Sequence, residues 1–133
     1  MKKYSLFALI AVLTVGVMTL SGFLKAKDEQ VRHVVVFKYK ADATEQQIGQ
    51  VTKAFSELKK SIPGIVSFEH GINDSPENKN QGFTHVYLVT FKNAAARDAY
   101  LPHPEHKKFG ELLGKLGILE DLFVVDFSPK IKL

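Results

Sequence analysis

The densest run of reactive side chains spans Tyr100, Leu101, Pro102, His103, Pro104, Glu105 and His106. A tyrosine hydroxyl can donate to an oxygen that is gaining charge, and imidazole is the side chain that ordinarily titrates nearest neutrality. Tyr100 and His106 therefore have the types wanted for general acid–base work. His103 and His106 also have a spacing open to a metal ion, but Pro104 lies between them and the chain has no cysteine, so that signal is weak. A purely structural account remains open: His103 as a helix cap, His106 as a solvated first-turn residue and Tyr100 as a packing anchor. Two further histidines, His33 and His85, sit inside apolar segments, on the same sides as Phe37 and Tyr87. Either they line a pocket or they are satisfied core residues.

The elements that must position these groups follow from periodicity. Residues 31–39 are rich in β-branched and aromatic types and read as a first strand. Thr44 and Gln47 have the spacing of a capping box, and Ile48, Val51, Phe55, Leu58 and Ile62 mark one face of the helix that follows, stopped by Pro63 and Gly64. Residues 65–72 form a second strand with Val66, Phe68, His70 and Ile72 on one side. Residues 73–82 are a polar connection, and 83–91 a third strand. Asn93 caps a short helix ending at Pro102, Pro104 opens another carrying Phe109, Leu112 and Leu113, and 119–127 is the last strand. The order is that of a ferredoxin-like βαββαβ domain of the α+β class, an antiparallel sheet with helices on one face.

The sheet has no polar face. His33, Val35, Phe37 and Tyr39 alternate with Val34 and Val36. Phe83, His85, Tyr87, Val89 and Phe91 oppose Val86 and Leu88, and Phe123, Val125 and Phe127 alternate with Leu122 and Val124. The helices cover one side only, and the short tail from Ser128 cannot cover the other. A second copy packed sheet to sheet would bury it, stabilising the pair by more than about 10 kcal/mol gross before association costs. A homodimer is expected, with Val34, Val36, Val86 and Leu88 meeting the partner and His33 and His85 facing the helices.

The N-terminus reads differently. Lys2 and Lys3 precede an uncharged run from Leu6 to Leu24, closed by Lys25, which is the pattern of an export signal or a membrane anchor over residues 1–26. The expected location is extracytoplasmic, periplasmic or secreted, or anchored by residues 6–24, with membrane contact only through this segment. A folded domain then occupies 27–133. Of 18 basic residues three lie in the leader, leaving 15 against 14 acidic, so the domain is nearly neutral and gives no support for nucleic-acid binding. The absence of cysteine leaves the fold to its hydrophobic core.

The strand from His33, the Gly82–Val86 segment, the Tyr100–His106 run and the ending at Phe123–Phe127 together resemble the stress-responsive dimeric α/β-barrel (Dabb) family, over residues 31–129. The resemblance implies a dimeric barrel of ferredoxin-like subunits. It also implies a pocket between sheet and helices, with His106 as base, Tyr100 as its support, and His33 and His85 in the lining. Phe55, which stands where the family's ring-closing cyclase has a tyrosine, and Tyr87, on the face of His85, are expected to contact the bound molecule as well. No metal or organic cofactor is implied. Two readings follow: a protein that binds a small, partly apolar molecule, or a cofactor-independent lyase, cyclase or isomerase. A monooxygenase of the kind found in related barrels ranks behind both, since no flavin motif is present.

Overall fold

The computed structural model describes residues 29–130, so the expected leader over 1–26 lies outside the described residues. Strand β1 (Val31–Tyr39) leads to helix α1 (Glu45–Ser61), then β2 (Ile65–Ile72), β3 (His85–Phe91), α2 (Ala94–Tyr100), α3 (Pro104–Leu116) and β4 (Leu119–Phe127). The sheet order is β2-β3-β1-β4, with every pair antiparallel. This is the ferredoxin-like order expected, with two helices in the second crossover. Among the described residues no helix is long and apolar enough to cross a membrane.

Helix α1 starts as its capping box dictates. The Gln47 amide donates to Thr44 Oγ1 and the Thr44 amide to Gln47 Oε1, satisfying donors that the first turn leaves free. Val51, Phe55 and Leu58 are its buried stripe, each such side chain contributing about 1.5–3 kcal/mol when fully buried. The helix ends at Ile62, and Gly64 follows at φ +93°. A Cβ there would stand 2.6 Å from that of Ala96, so the close seating of α2 on this turn requires glycine.

His33, Val35, Phe37, Tyr87, Val89 and Phe91 are all buried, forming the sheet's contribution to the core beneath the helices. Two details depart from the expected alternation. Val66 is not on the helix side with Phe68, because a bulge between Ile65 and Ser67 leaves it unpaired and largely exposed. Phe83 is not on the His85 face. The left-handed residues Gln81 and Gly82 turn the chain before the strand begins, and the Phe83 ring meets Phe123 edge-on at 5.0 Å, on the outer face. That outer face carries Val34, Val36, Val86 and Leu88, as expected, and β4 adds Phe123, Val125 and Phe127, exposed by 43%, 49% and 49% in the single chain.

Candidate functional site

Four elements converge at one end of the sheet. In β1, His33 faces the helices and is 5% exposed. The β1–β4 register sets Asp126 directly opposite it, and His33 Nδ1 lies 2.7 Å from Asp126 Oδ1. The other carboxylate oxygen of Asp126 accepts from Arg97 in α2, and Arg97 Nε also donates to Asp98 at 2.7 Å. Tyr100, the last residue of α2, is fully buried with its ring edge-on to His33 at 5.7 Å and against Phe91 at 5.0 Å. Pro104 starts α3 and brings His106 over Tyr100, the two rings 4.2 Å apart.

These groups surround a cavity of about 410 Å³ whose walls include His33, Phe55, Tyr100, His106, Leu113 and Asp126. It is mostly apolar with a few converging polar groups, the usual character of a small-molecule site. Leu122 and Val124 form its rim on the edge strand β4.

The protonation pattern follows from the partners. A carbonyl can only accept, so His106 Nδ1, 3.0 Å from the Leu101 carbonyl, carries a hydrogen, and in the neutral form of the ring Nε2 is the acceptor. Burial would raise the Asp126 carboxyl, but hydrogen bonds from Arg97 and His33 outweigh it and hold the group below the ordinary carboxylate range. Asp126 is thus an anion that accepts the His33 Nδ1 hydrogen. His33 itself is pushed down, mainly by burial, against the pull of Asp126, so near neutrality its Nε2 also stays unprotonated. Burial raises the Tyr100 hydroxyl, which therefore keeps its proton and acts as a donor. Among the described residues that hydroxyl has no hydrogen-bond partner, although it is shut away from water. An unpaired buried hydroxyl costs about 1–3 kcal/mol.

Of the residues singled out from the sequence, His33, Phe55, Tyr100 and His106 share this cavity. His85 does not. It lies opposite Phe37, four residues along β1 from His33 and so about 13 Å down the strand. There it sits edge-on to Tyr39 at 4.9 Å and lines a separate cavity of about 880 Å³ with His70 and Thr52. Burial, with His70 nearby, lowers its pKa. Tyr87, expected to contact a bound molecule, is 1% exposed and lines neither space. His103 caps α3, accepting from the Glu105 amide at 3.2 Å, so its Nδ1 is committed to the backbone. Asp126 and Arg97 were not anticipated. The signal for Asp126 was present: it is the one charged residue in the run from Leu122 to Phe127, at the helix-facing parity of Leu122 and Val124.

The fold and this site define a class of small α/β-barrel domains. Residues 31–129 match the family model described as the Stress responsive A/B Barrel Domain, and the chain belongs to that family. It is similar to olivetolic acid cyclase of Cannabis sativa, at 31% identity over 100 residues, covering 75% of this chain and 97% of that one. Among solved structures it resembles hydroxynitrile lyase from Passiflora edulis, with 25% identity and a TM-score of 0.71 over 80% of this chain and 98% of that one. It also resembles a dimeric ferredoxin-like protein of unknown function from Jannaschia sp., with 27% identity and a TM-score of 0.64 over 75% and 99% of the two chains.

Proposed function

We propose that this protein binds a small, partly apolar molecule bearing a carbonyl or hydroxyl oxygen in the cavity between sheet and helices, and that it does so outside the cytoplasm as a homodimer. The observation that carries the binding reading is the unpartnered Tyr100 hydroxyl, buried in a wall of that cavity beside His106. A turn of the ring that brings this hydroxyl, now closed to water, onto the cavity would let a bound oxygen accept its hydrogen and relieve the cost of leaving it unpaired. Phe55, Phe109 and Leu113 supply the apolar surface for the rest of the molecule. Support for the homodimer is the exposed apolar face of β4 and its neighbours, together with the dimeric state named for the Jannaschia structure. Support for export is the leader pattern alone.

A second reading, catalysis without a cofactor, is favoured by the tautomer of His106. With Nδ1 held by the Leu101 carbonyl, Nε2 is the free nitrogen that can take a proton from a carbon next to a carbonyl or from a hydroxyl. Tyr100, whose proton is firmly held, would donate to the oxygen as it gains charge. The His33–Asp126 pair presents a further neutral imidazole from the sheet side. That two similar proteins are named as a cyclase and a lyase fits a proton-transfer site of this kind.

The test is to purify the wild type, Tyr100→Phe and His106→Ala from the native host, release bound molecules by denaturation and identify them by mass spectrometry. A small oxygenated molecule carried by the wild type and depleted in Tyr100→Phe supports binding. Equal recovery from all three would remove the site from the account. Once the molecule is known, unchanged turnover by His106→Ala would leave binding standing and end the catalytic reading.

A further inference from the structure

The two cavities on the helix side of the sheet are separated by very little. Phe55 and Phe37 line the one that holds His106, while Thr52, His70 and His85 line the other. Tyr87 lines neither, is 1% exposed, and touches the walls of both. Its ring centroid is 5.1 Å from that of Phe37 and 5.2 Å from that of Phe55 on one side, and 6.3 Å from His70 on the other. Its hydroxyl is 2.9 Å from Thr52 Oγ1 and 3.0 Å from the Tyr39 hydroxyl, so α1 and β1 both hold the ring in place. The Tyr39 ring in turn packs edge-on to His85 at 4.9 Å.

We infer that Tyr87 is the specificity-determining partition of the site, ending the His106 cavity and so limiting the length of the apolar part of any molecule whose oxygen rests on Tyr100. This deepens the binding reading and rests on it. The physical argument is one of volume. A buried ring packed against Phe37, Phe55 and Phe68 has no room to swing aside, and the two hydrogen bonds of its hydroxyl add to that hold, so the roughly 410 Å³ on one side and 880 Å³ on the other stay separate. A small apolar side chain at this position would open a gap between Phe37, Phe55 and His70, bordered by the Phe68 ring 5.2 Å from Phe55 and 6.0 Å from His70. The two spaces would then join into a channel running from His106 to His85. The sequence placed His33 and His85 in one pocket; in the folded chain Tyr87 and Phe55 stand between them.

The experiment titrates straight-chain 2-alkanones, from hexanone to hexadecanone, into wild type, Tyr87→Phe, Tyr87→Leu and Tyr87→Val, following the Tyr100 and His106 ring signals by NMR. In the wild type, affinity should rise about fourfold per added methylene and stop rising by about a dozen carbons, when water-sized groups have filled the cavity. Tyr87→Phe keeps the ring and should keep that limit. Tyr87→Val, or Tyr87→Leu if the valine variant does not fold, should extend the rise to longer ketones. A wild-type affinity that climbs without a break to hexadecanone overturns the inference, as does a folded Val or Leu variant with the wild-type limit. If no ketone moves either signal in any variant, the binding reading fails. The partition is then judged from the crystal structure of the folded variant, where a continuous channel upholds it and two separate spaces overturn it.

Discussion

Replacing Asp126 with alanine removes the acceptor of a histidine that has almost no access to water. The His33 side chain is 7% exposed, and its Nδ1 hydrogen has Asp126 as its partner. Stranding that donor costs about 1–3 kcal/mol. Arg97 also loses an ion pair, but its side chain is a quarter exposed, so water takes over much of that role and the added cost is at most about 1 kcal/mol. The expected destabilisation is about 2–3 kcal/mol, which for a domain of this size lowers Tm by roughly 10–20 °C. Asp126→Asn keeps an oxygen able to accept from Nδ1 and should cost only about 1 kcal/mol. Thermal and urea melts in mildly alkaline buffer, where His33 is neutral in both folded and unfolded chains, give the comparison directly. An Asp126→Ala protein within about 0.5 kcal/mol of the wild type would refute the reasoning, because a surface substitution behaves that way.

Other expectations follow from the same geometry. Tyr100→Phe removes a hydroxyl that has no partner among the described residues, so it should leave stability unchanged or raise it by up to about 1–2 kcal/mol in urea melts while abolishing ligand retention. The lowered pKa of His33 gives the pH dependence its sign. The unfolded chain takes up a proton near 6.5 while the folded chain resists, so stability is full above that value and falls as pH drops below it, and His33→Leu should flatten part of this limb in melts across pH. His85, shifted the same way, supplies another part. Phe123→Asp, on the outer face, should convert a sedimenting dimer into a folded monomer, and a dimer that survives this change would place the interface elsewhere.

How much of this was legible beforehand depends on which kind of neighbour a residue has. The capping box at Thr44 and Gln47, the stripe of Val51, Phe55 and Leu58, and the pairing of Tyr100 with His106 are all local, set by helical periodicity or by a short turn. Strand alternation assigned His33 and His85 to the correct face. It carries no information on position along the strand, and that is what separates them, since His33 pairs with Val89 whereas His85 pairs with Phe37. Asp126 is the same problem seen from the other side. Its parity in β4 was visible, but its partnership with His33 exists only through a register spanning 93 residues. Val66 and Phe83 left the expected faces because a bulge and a left-handed turn shift the alternation; Gly82 marks the turn, but the bulge at Val66 has no residue signature. The leader pattern over 1–26 is a compositional signal that stands apart from the fold.

The central claim is that Tyr100 and His106 hold the oxygen of a small, partly apolar molecule. A crystal structure of the protein purified from its native host with the cavity occupied tests this most directly. The account predicts an oxygen of that molecule within hydrogen-bond distance of the Tyr100 hydroxyl and beside His106, with its apolar part against Phe55 and Leu113 and short of Tyr87. A molecule bound only in the His85 cavity, or a Tyr100 hydroxyl satisfied by a side chain of the partner subunit in a cavity with no room left, would contradict it.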